Sequence, residues 1–120
     1  MVEKDLYVLA KEVFSYKYDY VEGPKPFQGK SGKKWKFDAL IKDGEDGHFG
    51  VFLRDWKREI AVTQLRELKK ACMDIDKIVG GIMVCNLITD FSRDYCEQFG
   101  IQLFSKGDLI SKLRQRTQHI

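Results

Sequence analysis

Cysteine is scarce in this chain and badly spaced for the tasks that need it. There are three, Cys72, Cys85 and Cys96, an odd number with no C-x-x-C pair, so neither a zinc site nor a disulfide framework is expected. Each sits among apolar neighbours and reads as a small buried hydrophobe. Long apolar runs are lacking as well: none approaches the roughly 20 residues of a membrane-spanning helix, so no membrane partner is expected. The N-terminus MVEKDLYVLA shows no basic-then-apolar secretory pattern, which makes a cytoplasmic location the default expectation. Histidine is limited to His48, in an expected hairpin turn, and His119, near the end; neither is poised as a general base. Repeats and low-complexity segments are absent.

What remains is the composition of a globular protein. The 120 residues suit one domain, 1–120, and 43% apolar with 32% charged residues argues against disorder. The net charge of +3 is unevenly spread, because Lys25 to Lys36 (KPFQGKSGKKWK) carries five lysines and no acid. Such a run is either a solvated loop or one wall of a nucleic-acid groove, with Phe27 and Trp35 interleaved.

Periodicity predicts the elements. EKDLYVLAKEVF, residues 3–14, sets Leu6, Leu9, Ala10 and Val13 on one helical face. Alternating Tyr16, Tyr18 and Tyr20 predict a strand, and Gly23, Pro24, Pro26, Gly29 and Gly32 mark an irregular connection. Two further strands are predicted over 35–42 and 49–56, then a helix over 60–73 with Ala61, Leu65, Leu68 and Cys72 on its inner stripe. IVGGIMVCN, 78–86, reads as a strand covered on both faces. Thr89 or Asp90 caps a third helix that Gly100 closes; a short strand at 101–105 follows, and Asp108 caps a terminal helix. The order α-β-β-β-α-β-α-β-α describes an α/β fold, a mixed central sheet flanked by helices.

The chemistry gathers at VFLRDWKREI. Alternation puts Asp55 and Lys57 on one face of the strand and Arg54 and Trp56 on the other. Two Asp-Gly signals, Asp43-Gly44 and Asp46-Gly47, are open for the preceding hairpin. A turn at Asp46-Gly47 pairs Glu45 with His48, and sets Asp38 opposite Asp55 and Lys36 opposite Lys57; this register is the one favoured. Opposed carboxylates repel, and Mg²⁺ or Mn²⁺ between them relieves the repulsion. Two acids, a lysine and a metal beside a polybasic loop are what phosphodiester hydrolysis requires. An acid inside the apolar run WKFDALI also calls for a reason, because a neutral residue there is less costly.

Asp38…Asp55-Trp56-Lys57 resembles the D…(D/E)-x-K signature of the PD-(D/E)xK nuclease superfamily. GKSGKKWKFDALI followed by VFLRDWKR is similar to archaeal restriction-endonuclease-like and Holliday-junction-resolvase-like proteins. The resemblance spans Leu6 to Val84 and implies a restriction-endonuclease-like domain with an αβββαβ core. It implies that Asp38, Asp55 and the Trp56 carbonyl bind the metal, that Lys57 assists the attacking water, and that Gln64 stands near the site. Glu12 on the first helix is implied as an additional acid, with Glu3 its rival. Phe37 stands where the motif has proline, and Asp55 where glutamate is more frequent.

The function expected on this footing is a metal-dependent endonuclease, acting on DNA sooner than RNA, with Lys30, Lys33, Lys34 and Arg58 on phosphates. Ser31 either donates to a phosphate or shapes a turn, and Trp35 and Trp56 either pack or touch the nucleic acid. Cutting both strands commonly uses two copies of a site, which makes a homodimer an expectation with no interface named. The rivals are a DNA-binding module of the same fold that does not cut, and a scaffold whose lysine loop meets an acidic protein.

Overall fold

Residues 48–54 hold apolar side chains on both faces of one strand, and such a strand is satisfied only when covered from two sides. Val51 and Leu53 enter one apolar layer, and Phe52 enters the other. The computed structural model describes residues 5–44 and 47–118. The expectations for Glu3, for Glu45 and Asp46 in the hairpin, and for His119 lie outside these residues.

The elements run α1 (Leu6–Ser15), β1 (Asp19–Glu22), β2 (Phe27–Gln28), β3 (Lys34–Trp35), β4 (Ala39–Lys42), β5 (His48–Glu59), α2 (Val62–Asp74), β6 (Ile78–Leu87), α3 (Asp90–Phe99), β7 (Ile101–Ser105) and α4 (Lys106–Gln118). Five strands form a mixed sheet in the order β1-β4-β5-β6-β7; β1, β4 and β5 pair antiparallel, and β5, β6 and β7 pair parallel. Helices α1 and α4 cover one face through Leu6, Leu9, Ala10, Phe14 and Leu109. On the other face α2 contributes Leu65, Leu68 and Ala71, and α3 contributes Cys96. Without the two-residue strands β2 and β3, which pair only with each other, the order is the αβββαβαβα expected from the sequence.

Three local expectations change. Tyr16 and Tyr18 are not in a strand: α1 runs to Ser15, the Phe14 carbonyl accepts from the Lys17 and Tyr18 N–H groups, and β1 starts only at Asp19. WKFDALIK is not one strand but two, β3 and β4, broken at a bend on Asp38. In α4 the cap is Ser105. Its hydroxyl accepts from the Asp108 N–H (3.0 Å), and Asp108 Oδ2 accepts from the Ser105 N–H (2.9 Å), a reciprocal capping box. Thr89 caps α3 in the same way with Ser92, and Gly100 ends that helix at φ 72°.

Gly50 shows how closely the layers fit. A Cβ there would stand 2.4 Å from the Phe37 ring, which is fully buried. Gly50→Ala is expected to destabilise the fold by about 1–3 kcal/mol through overpacking. Urea denaturation of the two proteins at equal pH measures it, and an unchanged midpoint would contradict this packing.

Candidate functional site

Strand β4 begins one residue after Asp38, and Asp38 finishes its ladder. The Asp38 N–H donates to the Val51 carbonyl (2.9 Å), and its own carbonyl accepts from the Gly23 N–H (3.0 Å). The next donor along β5, the Leu53 N–H, has no β4 backbone partner; Asp38 Oδ2 accepts it at 2.8 Å. A carboxylate is thus placed where the ladder runs out, which answers why an acid interrupts an apolar run.

This register corrects the one favoured from sequence. Ala39 faces Val51, Leu40 faces Gly50, Ile41 faces Phe49 and Lys42 faces His48. The ladder ends at Ala39↔Val51, and the Asp38 N–H still donates to the Val51 carbonyl, so Asp38 lies at an irregularity beside Val51 and is not paired with Asp55. Lys36 lies before the bend, outside the ladder with β5, and is not paired with Lys57. His48 pairs with Lys42, and Gly44 beyond the end of β4 is at φ 70°. The physical reason is the core: this pairing matches Ala39 with Val51 and Ile41 with Phe49 in the α1–α4 layer. The side chain that meets Asp38 Oδ2 is Arg54.

Arg54 is the functional candidate that the motif passed over. Its Nη1 donates to Asp38 Oδ2 (2.7 Å) and to the Leu53 carbonyl (3.0 Å), and its Nε donates to Gln64 Oε1 (2.8 Å). The guanidinium carbon lies 4.6 Å from the Phe52 ring centroid and 6.0 Å from that of Trp56. The available signal was an arginine following Val51-Phe52-Leu53 with no break, in phase with the buried Phe52. Gln64 is thus brought to Asp38, through Arg54.

Asp55 is held from the other side of β5. The β5–β6 pairing stops at Arg54↔Cys85 and resumes at Glu59↔Leu87, so residues 55–58 arch out opposite the single residue Asn86. Asn86 Nδ2 fills the gap, donating to Asp55 Oδ1 (2.7 Å) and to the Trp56 carbonyl (2.9 Å). Of the expected metal ligands, Asp55 and the Trp56 carbonyl are brought together on Asn86, while Asp38 Oδ2 is occupied by the Leu53 N–H and Arg54. Among the described residues no group of three or more His, Cys, Asp or Glu side chains is placed to hold a metal ion. A cationic guanidinium on Asp38 does not fit Mg²⁺ or Mn²⁺ held between the two acids. Lys57 and Arg58 are exposed on the arch, with Arg58 4.8 Å from the Trp56 ring centroid.

Beside Asp38 a cavity of about 290 Å³ is lined by Tyr7, Tyr20, Glu22, Gly23, Asp38 and Leu53. Tyr7, and not Glu12, is the α1 residue lining it. Glu22 is an acid that the sequence did not single out; it lies 3.7 Å from Lys11. Burial, and then the Glu22 and Asp38 carboxylates, hold the Tyr20 hydroxyl well above its ordinary pKa.

The basic loop is fastened to the end of α2. Asp74 accepts from the Ser31 N–H (2.9 Å), the Ser31 hydroxyl (2.6 Å) and Trp35 Nε1 (2.8 Å). Its carbonyl accepts from the Lys30 N–H (2.8 Å). Gly29 permits this approach, because a Cβ there would lie 1.8 Å from Asp74 Oδ2. The Ser31 hydroxyl proton is therefore committed to Asp74, and Trp35, 8% exposed, packs. Lys33 lies 4.0 Å from the Trp35 ring centroid and 3.7 Å from Glu67, and Lys30 lies 3.2 Å from Asp76. These ion pairs are exposed and hold little energy, so the cations stay available. Lys34 and Lys36 point outward in alternation with buried Trp35 and Phe37, and pair with no described acid.

No protein-family model matches the chain, and no curated protein matches it by sequence. Solved structures do. A crystal structure of a protein of unknown function superposes with a TM-score of 0.69 at 9% identity, over 86% of this chain and 62% of that one. A repair endonuclease from Pyrococcus abyssi gives 0.58 at 18% identity, over 88% and 48%. EndoMS in a complex with double-stranded DNA gives 0.53 at 16% identity, over 86% and 45%. At these identities the likeness shows the fold, a mixed α/β sheet of restriction-endonuclease type. The chain spans about half the length of the two endonuclease chains.

Two outcomes test this geometry. Asp38→Ala strips the Leu53 N–H and Arg54 of their acceptor and is expected to cost about 1–3 kcal/mol in metal-free denaturation, whereas Asp55→Ala at the exposed arch costs less than about 1. Two acids poised around a missing metal would instead gain stability when either is removed. For the loop, bonds from the Ser31 hydroxyl, Trp35 Nε1 and the Ser31 N–H hold the Asp74 carboxyl below its ordinary value of 3.8. Between the lowered and the ordinary value the unfolded chain binds more protons, so this contribution is full above about pH 4 and is lost as pH falls. Denaturation midpoints followed downward from pH 5 should fall less steeply for Asp74→Asn than for wild type; parallel curves would contradict the anchor.

Proposed function

We propose that this chain is a DNA-binding domain built on the restriction-endonuclease scaffold, one that grips the phosphate backbone and does not itself cut at Asp38. One observation carries the reading: a track of cations around the place where the resemblance puts a metal. Lys30, Lys33 and Lys34 on the anchored loop lead through Lys36 to Asp38 and Arg54, and Lys57 and Arg58 continue it on the arch. The fold supports the reading, since two proteins that share it are endonucleases and one is bound to double-stranded DNA. Loop and arch are both tied down before any ligand arrives, so little ordering entropy opposes binding.

Hydrolysis with Mg²⁺ or Mn²⁺ is a second reading, and Asn86 is the observation in its favour. It holds the Asp55 carboxylate and the Trp56 carbonyl side by side, next to Lys57. For that reading to hold, Asp38 must exchange its arginine for a metal.

The test is a titration of labelled duplex DNA with the protein in chelator, followed by fluorescence anisotropy at several salt concentrations. Affinity should fall steeply with salt, and alanine at Lys30, Lys33 and Lys34 together should flatten the slope of log K against log salt by about 2–3. Absence of binding at low salt would overturn the proposal. Parallel incubations with Mg²⁺ and Mn²⁺ decide the second reading: cleavage that vanishes in Asp55→Ala and in Lys57→Ala would put an endonuclease in place of the binding module.

A further inference from the structure

We infer that the Arg54 guanidinium is a built-in cation: at Asp38 it takes the place of a divalent metal and presents its free N–H groups to a backbone phosphate. The inference deepens the DNA-binding reading and rests on it for the identity of the ligand, but not for the exclusion of metal. Arginine has five N–H donors in a rigid plane. Nε is bonded to Gln64 and Nη1 to Asp38 and the Leu53 carbonyl, while Nη2 has no partner among the described residues. The side chain is 22% exposed, so the plane is held on one edge and open on another. Phe52 lies against the cation and limits its swing.

The same bonds close Asp38 to a metal. Its Oδ2 already accepts a main-chain N–H and a guanidinium N–H, at 2.8 and 2.7 Å. A divalent ion on the remaining oxygen would sit beside a fixed positive charge that cannot be deprotonated. Arginine on a phosphate acts as a planar fork, and its orientation matters as much as its charge. Here Asp38 and Gln64 set that orientation, which makes them positioning residues for Arg54.

The experiment has two arms. In the first, Mn²⁺ alone is titrated by calorimetry into the DNA-free protein. Wild type and Arg54→Lys should take up no ion at Asp38. Arg54→Glu, which sets a second carboxylate there, should bind Mn²⁺ at least about tenfold more tightly than wild type, and adding Asp38→Asn should abolish the gain. Wild-type binding as tight as that of Arg54→Glu, lost with Asp38→Asn, would overturn the inference, as would a folded Arg54→Glu that gains nothing. Arg54→Gln, which drops the charge with a neutral side chain, replaces it if the glutamate variant does not fold, and is expected to gain affinity in the same direction. In the second arm, duplex binding is measured in chelator and in Mn²⁺. Wild type should give the same affinity in both. Arg54→Lys should weaken binding about fivefold to tenfold by losing the fork, and Asp38→Asn should weaken it although no charge that binds DNA is removed. Affinity that rises with Mn²⁺, or that is unchanged in Arg54→Lys, would contradict the phosphate role. Failure of wild type to bind DNA at all would overturn that role together with the DNA-binding reading, while the first arm alone still decides whether Arg54 excludes a metal from Asp38.

Discussion

Asp38 Oδ2 receives two hydrogen bonds, from the Leu53 N–H and from the Arg54 guanidinium, and much of the molecule is arranged by that one atom. The first bond ends the β4–β5 ladder, so β4 can begin at Ala39 while the chain before it bends away toward the basic loop. The second fixes a positive charge at the edge of the sheet, and Gln64 extends the contact to α2. A carboxylate there without its arginine would be a partly buried charge with one donor; the arginine without it would lose its orientation. Neither side chain is explained by itself.

Helix α2 serves as the spine of the candidate interface. Gln64, Glu67 and Asp74 are spaced so that they fall along one flank, and they meet Arg54, Lys33 and the Ser31–Trp35 pair in turn. Arg54 lies near the start of the helix, and the lysine loop is fastened at its end. The arch at 55–58 is set separately, by Asn86 reaching across from β6. These contacts hold cations from distant stretches of sequence on fixed supports, which is the requirement for reading a regular phosphate backbone.

Much of the fold was legible because strong patterns are local. The apolar run at Ile78 announced β6, the stripe Leu65-Leu68 announced α2, and Thr89 and Gly100 bracketed α3. Tyr16 and Tyr18 misled because their alternation is that of a strand, while the bonding is that of a turn on the end of α1. The site was legible in its members and not in its assembly. Asp38, Gln64 and the lysine loop were all singled out, yet the partner of Asp38 depends on how the β4–β5 hairpin is set, which two Asp-Gly signals left undecided. The pairing of Ile41 with Phe49 fixed it three residues from the favoured choice, and the ladder ends at Ala39, which leaves Asp38 at an irregularity where Arg54 reaches it. Asn86 was out of reach for another reason: its task exists only because β5 arches, and no local pattern announces an arch.

A double-mutant cycle on Asp38→Asn and Arg54→Met, read by urea denaturation in chelator, tests the central claim most directly. The account predicts a favourable coupling of about 1 kcal/mol or more, since the two side chains are hydrogen-bonded and only partly exposed. Additive effects, with a coupling inside roughly 0.3 kcal/mol of zero, would show that the two groups do not act as a pair and would contradict it.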